Sequence, residues 1–251
     1  MTVRPACYSD MPAMAAVAAR AFHDDELFGT LMHPFRAQYP DDYEAFFLRR
    51  MRENWWDWSH VWWVATIDDE VVGIAEWEMK GRVKKRIDLA AWDLRRVMMP
   101  TVKVIHALSL RIRPSPAANP DPRLRDPFPA AHRFFEHHWT GSRADTVYLE
   151  LLAVDPRFQG RGLAKELVQW GLDYAKEEGV CASVIASESG YEFYKRMGYT
   201  VQVGHATEGE GNPLAGLKSG WILFTDHVEQ DADEKAKAKA KVTVREVDSD
   251  P

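Results

Sequence analysis

The sequence predicts an α/β fold, in which helices flank a sheet, and three patterns support this. The chain opens with a strand followed by a helix, and residues 61–79 have the composition of a β-hairpin. Residues 146–224 alternate strands with helices. Helices that alternate with strands pack against the faces of the sheet that those strands form.

The first half of the chain begins with a strand and two helices. Thr2 to Cys7 is the predicted strand, and Ser9 is placed to cap the first helix. The apolar residues of that helix recur at helical spacing: Met14, Val17, Ala18, Ala21 and Phe22. A second helix is predicted from about Asp41 to Trp58, since Pro40 and two aspartates suit a helix N-terminus.

The hairpin follows, and it contains most of a tryptophan cluster. Val61–Ile67 and Val71–Met79 are rich in β-branched and aromatic residues, and an acidic turn separates them. Six of the ten tryptophans lie between Trp55 and Trp77. Core packing is one interpretation of this cluster, and an aromatic wall for an apolar or cationic ligand is the other. Neighbouring strand residues point to opposite faces, so these rings cannot all enter one core.

Residues from about 80 to 143 form a predicted insertion whose composition differs from that of the flanking segments. Residues 80–113 hold ten basic and two acidic residues, and Pro100 interrupts an apolar helical face. The basic block has two interpretations, a clamp for anionic groups and the solvated face of a helix. A proline-rich connection over 113–129 leads to a short helix from Ala130 to Trp139.

The second half alternates regularly up to a charged tail. The predicted order is a strand at Thr146–Val154, a helix at Gly162–Glu178, a strand at Ala182–Ser187, a helix at Tyr191–Met197 and strands near Tyr199–Val203 and Gly220–Phe224. Residues 227–251 form a charged low-complexity tail. We therefore expect one domain over residues 1–226.

Bulk composition excludes several function classes. The net charge of −6 offers no positive field for a nucleic-acid backbone. Two cysteines cannot build a disulfide framework, and the N-terminus lacks the layout of a signal peptide. No apolar run approaches the roughly 20 residues of a membrane span. We expect a cytoplasmic protein that binds neither nucleic acid nor membrane.

The stretch with the clearest chemical meaning is V-D-P-R-F-Q-G-R-G-L-A, Val154 to Ala164. A strand that ends in a glycine turn and opens a helix presents free N–H groups at the positive end of the helix dipole. Gly160 and Gly162 let the backbone approach an anion, and Arg157 and Arg161 add positive charge. This pattern predicts a phosphate-binding turn.

Three known phosphate loops compete for this pattern. A P-loop needs Lys-Ser/Thr after its second glycine, which is absent here. A dinucleotide fingerprint needs a small residue where Lys165 stands. The third form, Arg/Gln-x-x-Gly-x-Gly/Ala, is matched by R-F-Q-G-R-G from Arg157 to Gly162.

With this loop the sequence resembles the GNAT superfamily of acyl-CoA-dependent N-acetyltransferases. The A-V-D-P lead-in at Ala153–Pro156 and the second motif A-S-E-S-G-Y-E-F-Y-K-R-M-G-Y at Ala186–Tyr199 also resemble the family, as does V-R-P-A-C-Y-S-D-M-P at Val3–Pro12. The resemblance implies a mixed, mostly antiparallel twisted sheet flanked by helices, here with a helical and proline-rich insertion. It also implies that acetyl-CoA is the cosubstrate.

The resemblance assigns roles to individual residues. It implies that the strand ending at Val154 pairs with the pantetheine arm and that the turn holds the pyrophosphate. The implied acetyl-CoA-binding residues are Leu152, Ala153, Val154, Arg157, Gln159, Gly160, Arg161, Gly162, Leu163, Ala164, Ser187 and Tyr194. Tyr194 matches the family's acid for the departing thiolate; its alternative role is a core tyrosine. Ser187 either caps the next helix or bonds to the cosubstrate.

The general base and the acceptor are less constrained. Glu150 shares strand parity with Leu152 and Val154, so it is a candidate base, acting directly or through a water. Its alternative role is a carboxylate paired with a neighbouring strand or with an insertion arginine. No metal is expected, because His132, Glu136, His137 and His138 lack a zinc motif, and His132 and Glu136 can pair across a helix turn.

These observations predict an N-acetyltransferase for a small-molecule amine, in which the amine attacks the thioester directly. Two alternatives stay open: acetylation of a peptide or protein, and a CoA-binding regulatory module without turnover. Whether the protein is a monomer or a homodimer also stays open.

Overall fold

The computed structural model describes residues 1–85, 95–112 and 115–225, so the predicted tail at 227–251 lies outside the described residues. Its longer helices are α1 (Met11–Ala21), α2 (Pro40–Trp55), α4 (Arg95–Ile112) and α7 (Leu163–Glu178), and its shorter ones are α3 (Arg82–Lys85), α5 (Pro122–Arg125), α6 (Phe128–Phe135) and α8 (Tyr191–Arg196). Its strands are β1 (Thr2–Pro5), β2 (His60–Ile67), β3 (Glu70–Met79), β4 (Thr146–Val154), β5 (Cys181–Ala186), β6 (Val201–His205) and β7 (Trp221–Phe224). Thus the alternation predicted from the sequence is present.

The described strands form one seven-stranded sheet in the order β1-β2-β3-β4-β5-β7-β6. β4 pairs with β5 in parallel, and every other neighbouring pair is antiparallel. This confirms the predicted mixed, mostly antiparallel sheet. The parallel pair lies in the middle, where β4 is also hydrogen-bonded to β3.

Each face of the sheet carries its own layer of helices. On one face α1 and α2 pack over alternate residues of β2, β3 and β4, including Trp62, Ile74 and Leu151. On the other face α7 packs over Trp77 and Leu149. Alternation along the strands therefore builds two cores, one on each side of the sheet.

Close packing of α7 depends on Gly171. A Cβ at this position would lie within 2.5 Å of three atoms of the Trp77 indole, which is fully buried. The absence of a side chain lets the ring lie against the helix backbone. Trp77 and Gly171 thus fix the distance between α7 and β3, and α7 begins at the predicted phosphate-binding turn.

The tryptophan cluster divides between the two faces and the surface. Trp62 is buried under α2, Trp77 is buried under α7, and Trp63 packs against Trp170 of α7 with ring centroids 4.8 Å apart. Trp55 and Trp56 lie at the end of α2 beside Tyr8. The cluster therefore serves packing, as one of the two interpretations expected.

The connection between β3 and β4 corresponds to the predicted insertion. Pro100 lies inside α4, and α4 contacts α2. The last α-helix of this connection, α6, begins at Phe128, two residues before the predicted start, and ends at Phe135. Asp42 of α2 accepts hydrogen bonds from the Ser115 hydroxyl and from the Ala117 amide, which anchors the proline-rich part to the core.

Two local features were not anticipated from the sequence. Residues Glu26–Met32 form a π-helical segment whose first turn is capped by the carboxylate of Asp25. In addition, β4 contains a bulge, which is described below with the site. Across the described residues, no helix combines the length and the apolar character that spanning a membrane requires.

Candidate active site

The middle of the sheet opens where β4 and β5 separate. Their parallel pairing runs from Thr146 with Cys181 to Leu149 with Val184, and it stops there although β4 continues to Val154. On the edge of β4 that faces β5, residues 150–154 therefore lack a strand partner within the described chain. An extended ligand with amide groups can add to such an edge by main-chain hydrogen bonds.

A β-bulge in β4 coincides with this separation. Glu76 of β3 pairs with Leu151 while Trp77 pairs with Leu149, so Glu150 is the extra residue. The bulge reverses the alternation that the sequence predicted. Leu152 and Val154 pack with the α7 side, whereas Glu150 contacts Arg50 of α2, so the expectation that Glu150 shares their parity is wrong.

The predicted phosphate-binding turn lies directly beyond the end of β4. Gly160 and Gly162 both have positive φ, 75° and 83°, and a Cβ at either position would meet open space. Among the hydrogen bonds formed by the described residues, none uses the backbone N–H groups of residues 159–165. These amides surround the N-terminus of α7, where the helix dipole also favours an anion. The turn can therefore bind a phosphate or pyrophosphate.

Side chains of the turn stabilise its shape. The carboxylate of Asp155 is fully buried, and it accepts hydrogen bonds from the Arg157 amide at 3.0 Å and from Arg20 at 2.7 Å. Hydrogen bonds from Arg157 hold the pKa of Asp155 far below its usual value despite partial desolvation. Gln159 donates to the carbonyl of Val154 at 3.1 Å. Arg157 and Gln159, predicted to contact the cosubstrate, thus position the loop through their side chains. The backbone amide of Arg157 is used by Asp155, whereas that of Gln159 stays available for a ligand.

A cavity of about 770 Å³ opens beside the separated strands. Its floor is the sheet, including Tyr148, Glu150 and Leu152, and one wall is Arg50 and Asn54 of α2. The insertion contributes aromatic and polar side chains to its lining: Phe128, His132, Phe135, Glu136 and Trp139. Volumes of about 300–1,000 Å³ are typical of small-molecule sites.

The aromatic wall of the cavity is not the one considered in the sequence. Of the described residues that line it, none belongs to the Trp55–Trp77 cluster, and the tryptophan present is Trp139. Trp139 is held in place because its indole N–H donates to the Ser183 hydroxyl at 3.1 Å. The interpretation of the cluster as a ligand wall is therefore wrong, and the insertion supplies the aromatic residues instead.

Tyr194 and Ser187 lie at the β5 side of the same cavity. The Tyr194 ring is buried against Tyr199, and its hydroxyl has no hydrogen-bond partner among the described residues. Burial raises the pKa of Tyr194, which keeps the phenol protonated at neutral pH. The Ser187 hydroxyl accepts a hydrogen bond from the Gly190 amide at 3.1 Å, which is the capping arrangement that the sequence offered as one alternative.

Glu150 lies on the cavity floor and is paired with Arg50. Desolvation raises the pKa of the Glu150 carboxyl, the Arg50 guanidinium opposes this, and Glu76 reinforces it. The pairing with an arginine was expected as an alternative, although the arginine belongs to α2 and not to the insertion. The Glu150 side chain still keeps 20% of its surface exposed.

Sequence reasoning missed a second buried carboxylate on the same side of the sheet, that of Glu76, which is hydrogen-bonded to His60 and Asn54. Glu76 is fully buried, and one of its oxygens accepts hydrogen bonds from His60 Nδ1 at 2.7 Å and from Asn54 at 2.6 Å. Its other oxygen, Oε2, has no partner. The available signal was a carboxylate inside the apolar run V-V-G-I-A-E-W of β3. Buried charges in such runs are rare unless they are paired or functional.

His132 and Glu136 form the pair that the sequence offered as one possibility. His132 and Glu136 are paired at 2.9 Å across one turn, from α6 into the short 3₁₀ turn that follows it. Within residues 1–85, 95–112 and 115–225, no three His, Cys, Asp or Glu side chains converge as a metal site would require.

Comparison with known families identifies the region around the turn. Residues 117–199 match the model described as the acetyltransferase (GNAT) family. A segment of 59 residues is 36% identical to the uncharacterised N-acetyltransferase YesJ of Bacillus subtilis (strain 168). That alignment covers 22% of this chain and 33% of the relative, so the chain spans about a third of the length of the curated relative it matches.

Solved structures share the fold across nearly the whole chain. A crystal structure described as histone acetyltransferase HPA2 and related acetyltransferase, from Corynebacterium glutamicum ATCC 13032, covers 90% of this chain and 96% of its own with a TM-score of 0.55 at 17% identity. An N-acetyltransferase structure from Staphylococcus aureus Mu50 covers 90% and 100%, with a TM-score of 0.50 at 14% identity. At these identities the likeness concerns the fold alone.

Proposed function

We propose that this chain, in which residues 117–199 match the acetyltransferase (GNAT) family model, transfers an acetyl group from acetyl-CoA to a small-molecule amine. The observation that carries this proposal is the continuity of three features. The unpaired edge of β4, the turn of free amides beyond its end and the cavity beside it are adjacent to one another. Each suits one part of the reactants: the pantetheine arm, the pyrophosphate and the acceptor.

In this proposal the amine nitrogen attacks the carbonyl carbon of the thioester. A C–N bond forms, the C–S bond breaks, and the thiolate leaves. Tyr194 donates its phenolic proton to the sulfur, since its free hydroxyl borders the cavity and burial keeps it protonated. Glu150 receives a proton from the amine, directly or through a water, because its side chain lines the cavity and is 20% exposed.

The volume of the cavity, about 770 Å³, and the side chains that the insertion adds to its lining favour a small acceptor. Phe128, Phe135 and Trp139 of the insertion, together with Phe28 and Leu27 from the segment after α1, line the site. A peptide or protein acceptor needs an open groove on either side of the reacting lysine or N-terminus. The side chains that the insertion adds to the lining therefore support the small-molecule acceptor over the protein acceptor.

The charges of the lining favour a cationic acceptor. Four acidic side chains, Asp25, Glu78, Glu136 and Glu150, face the cavity, and two strong bases, Arg50 and Lys80, face it with them. The Lys80 ammonium lies 4.7 Å above the ring of Tyr148 and 2.8 Å from Glu78. A carboxylate beside an aromatic face thus already holds one primary ammonium in this cavity.

An amine panel tests the proposal. Release of CoA is followed with a thiol reagent for aminoglycosides, arylamines, polyamines and peptides, beside a blank without amine. We expect turnover with at least one small amine. Binding of acetyl-CoA without turnover of any amine would contradict the proposal and favour a regulatory module, and turnover of peptides alone would contradict the small-molecule acceptor.

Calorimetry tests the binding turn separately. We expect Gly162→Trp to abolish measurable acetyl-CoA binding, since an indole and a non-glycine φ of 83° disturb the free amides together. Glu177→Trp is the matched control, because residue 177 is an exposed position near the other end of the same helix. Equal affinities for the Gly162→Trp variant and the native chain would show that the turn does not hold the pyrophosphate.

A further inference from the structure

The transfer reaction proposed above leaves one proton to be removed from the cavity. An alkylamine enters largely as its ammonium, because its pKa resembles that of lysine, about 10.4. It loses two protons on becoming an amide, and the departing thiolate takes up one. The balance of the reaction is therefore R–NH₃⁺ plus thioester giving amide, thiol and one H⁺. A group in the cavity must receive this proton and pass it to solvent.

Glu150 alone is a poor final acceptor for this proton. Its carboxylate is paired with the Arg50 guanidinium, which stabilises the anion and holds the side chain. Protonation of Glu150 would also leave Arg50 without its partner in a half-buried site. A second base that gains stability on protonation would complete the transfer.

His60 has the geometry of such a base. Its side chain lines the cavity with 11% of its surface exposed, and its Nδ1 lies 2.7 Å from Glu76 Oε1. A carboxylate only accepts hydrogen bonds, so Nδ1 carries the hydrogen and the neutral ring has its lone pair on Nε2. Nε2 has no hydrogen-bond partner among the described residues, which leaves that lone pair available.

The environment of Glu76 favours a positive charge on His60. Glu76 is fully buried, and its Oε2 has no partner, so the carboxylate charge is compensated by Asn54 and His60 through the other oxygen alone. An imidazolium would supply the missing compensation. Burial lowers the pKa of His60, but the hydrogen bond to Glu76 and the charges of Glu76, Glu78 and Glu150 outweigh it, and the pKa is raised.

The position of His60 in the sheet shows how a proton reaches it. His60 of β2 is opposite Glu78 of β3, and Glu78 is opposite Tyr148 of β4. Strands are spaced by about 4.8 Å, so His60 lies about 10 Å across the sheet from the strand that borders the thioester edge. This exceeds a direct hydrogen bond. A proton therefore travels through the Glu150 carboxylate or through water within the cavity, where Arg50 and Lys80 add opposing positive charge.

We propose that His60, oriented by Glu76, is the proton-accepting end of a relay that removes the acceptor's proton from the cavity. The inference rests on the proposed acetyl transfer. In the relay His60 receives the proton from Glu150 or from water and does not touch the reacting atoms. Nothing in the sequence pattern assigned His60 a role, because its partner Glu76 is sixteen residues away on the next strand.

The test measures kcat/KM for the best amine of the panel between pH 6 and pH 10. His60→Asn keeps a donor toward Glu76 but removes the titrating base, and His60→Gln is a second variant in case the first folds poorly. We expect kcat/KM at neutral pH to fall at least about tenfold, less than the roughly 10²–10⁴-fold of a direct general base because His60 acts through Glu150 or water, and the deficit to close as free amine accumulates at high pH. The acid limb of the profile moves to higher pH in both variants.

Glu76→Gln gives the opposite shift. Without the carboxylate the imidazolium loses its partner, so the pKa of His60 falls and the acid limb moves to lower pH. His106→Asn is the matched control, since His106 makes a similar hydrogen bond to Glu53, at 3.0 Å, and does not line the cavity. Its profile and the acetyl-CoA affinity of every variant stay unchanged.

The outcomes separate this inference from the function on which it rests. No turnover of any amine by the native chain overturns both. Turnover by the native chain with the same profile in the His60 variants overturns the relay alone. A loss of rate that is constant across pH also overturns it, because a structural role predicts that result.

Discussion

The contact between Gly171 and Trp77 predicts that one substitution in α7 changes both the stability of the fold and the acetyl-CoA affinity of the turn at the start of that helix. Gly171→Ala adds one methyl group in the middle of α7. Intrinsic helix propensity alone would stabilise the chain by about 1 kcal/mol, because alanine replaces glycine in a helix. The structure predicts the opposite sign.

The magnitude follows from the space available. The new Cβ would lie within 2.5 Å of three indole atoms, whereas ordinary contact begins at 3.4 Å, so ring and helix must separate by about 1 Å. Trp77 has no exposed surface and cannot rotate into solvent. Overpacking of a core costs about 1–3 kcal/mol, and this site is near the upper end. After the gain in propensity, we expect a net loss of about 1–2 kcal/mol, or about 2–8 °C in Tm for a domain of this size.

Thermal unfolding and calorimetry check this prediction together. The acetyl-CoA affinity should fall as well, because α7 begins at the turn and moves with the helix. In the Trp77→Phe background the clashing indole atoms are absent, so Gly171→Ala should become neutral or stabilising. Glu177→Ala, at an exposed position of the same helix, is the control and should change Tm little. A Tm that rises for Gly171→Ala in the native background would refute the reasoning.

Three further substitutions address the chemistry. Tyr194→Phe should lower kcat about a hundredfold with the acetyl-CoA Kd unchanged, because it removes a proton donor and little volume; an unchanged kcat across pH would reject Tyr194 as the acid. Glu150→Gln should lower the rate mainly at low pH, where the amine needs help to lose its proton, and a pH profile like that of the native chain would reject Glu150 as a base. Phe128→Ala should raise the acceptor KM severalfold through lost apolar contact, while acetyl-CoA binding, measured by calorimetry, stays the same; a weaker acetyl-CoA affinity would instead place Phe128 at the cosubstrate.

The binding turn could be predicted from the sequence because all of its determinants are local. The end of β4, Gly160, Gly162 and the start of α7 are contiguous, and a strand, a positive-φ turn and a helix N-terminus follow from short-range patterns. The side-chain roles of Arg157 and Gln159 were less accessible. Arg157 also bonds Glu70 of β3, which is 87 residues away and becomes its neighbour only in the folded sheet.

The face on which Glu150 lies could not be predicted, because alternation assumes a regular strand. One extra residue at the bulge moves a side chain from one face of the sheet to the other. The pattern L-E-L-L-A-V carries no mark of the bulge, which depends on the pairing with Glu76 and Trp77 of β3. The bulge is also what brings Glu150 to Arg50, so the same irregularity that defeated the prediction creates the candidate base.

The acceptor cavity depends on the most distant contacts in the chain. Its lining combines Asp25, Arg50, Glu78, Trp139 and Gly220, from segments that are separated by tens of residues. No local pattern records their convergence, and the tryptophan cluster was misleading because burial and ligand contact select the same residue types.

The contrast between a turn built from local backbone and a cavity built from distant side chains has a consequence for the choice of acceptor. The proposed cosubstrate end of the site consists mainly of backbone groups, namely the free edge of β4 and the amides of the turn. The proposed acceptor end includes side chains from the insertion, which is anchored to the core through Asp42 and Ser183. Substitutions in residues 128–139 can therefore alter which amine binds while the unpaired edge and the turn stay intact. The proton relay lies between the two ends on β2 and β3, outside the insertion, so it would serve any amine that the insertion admits.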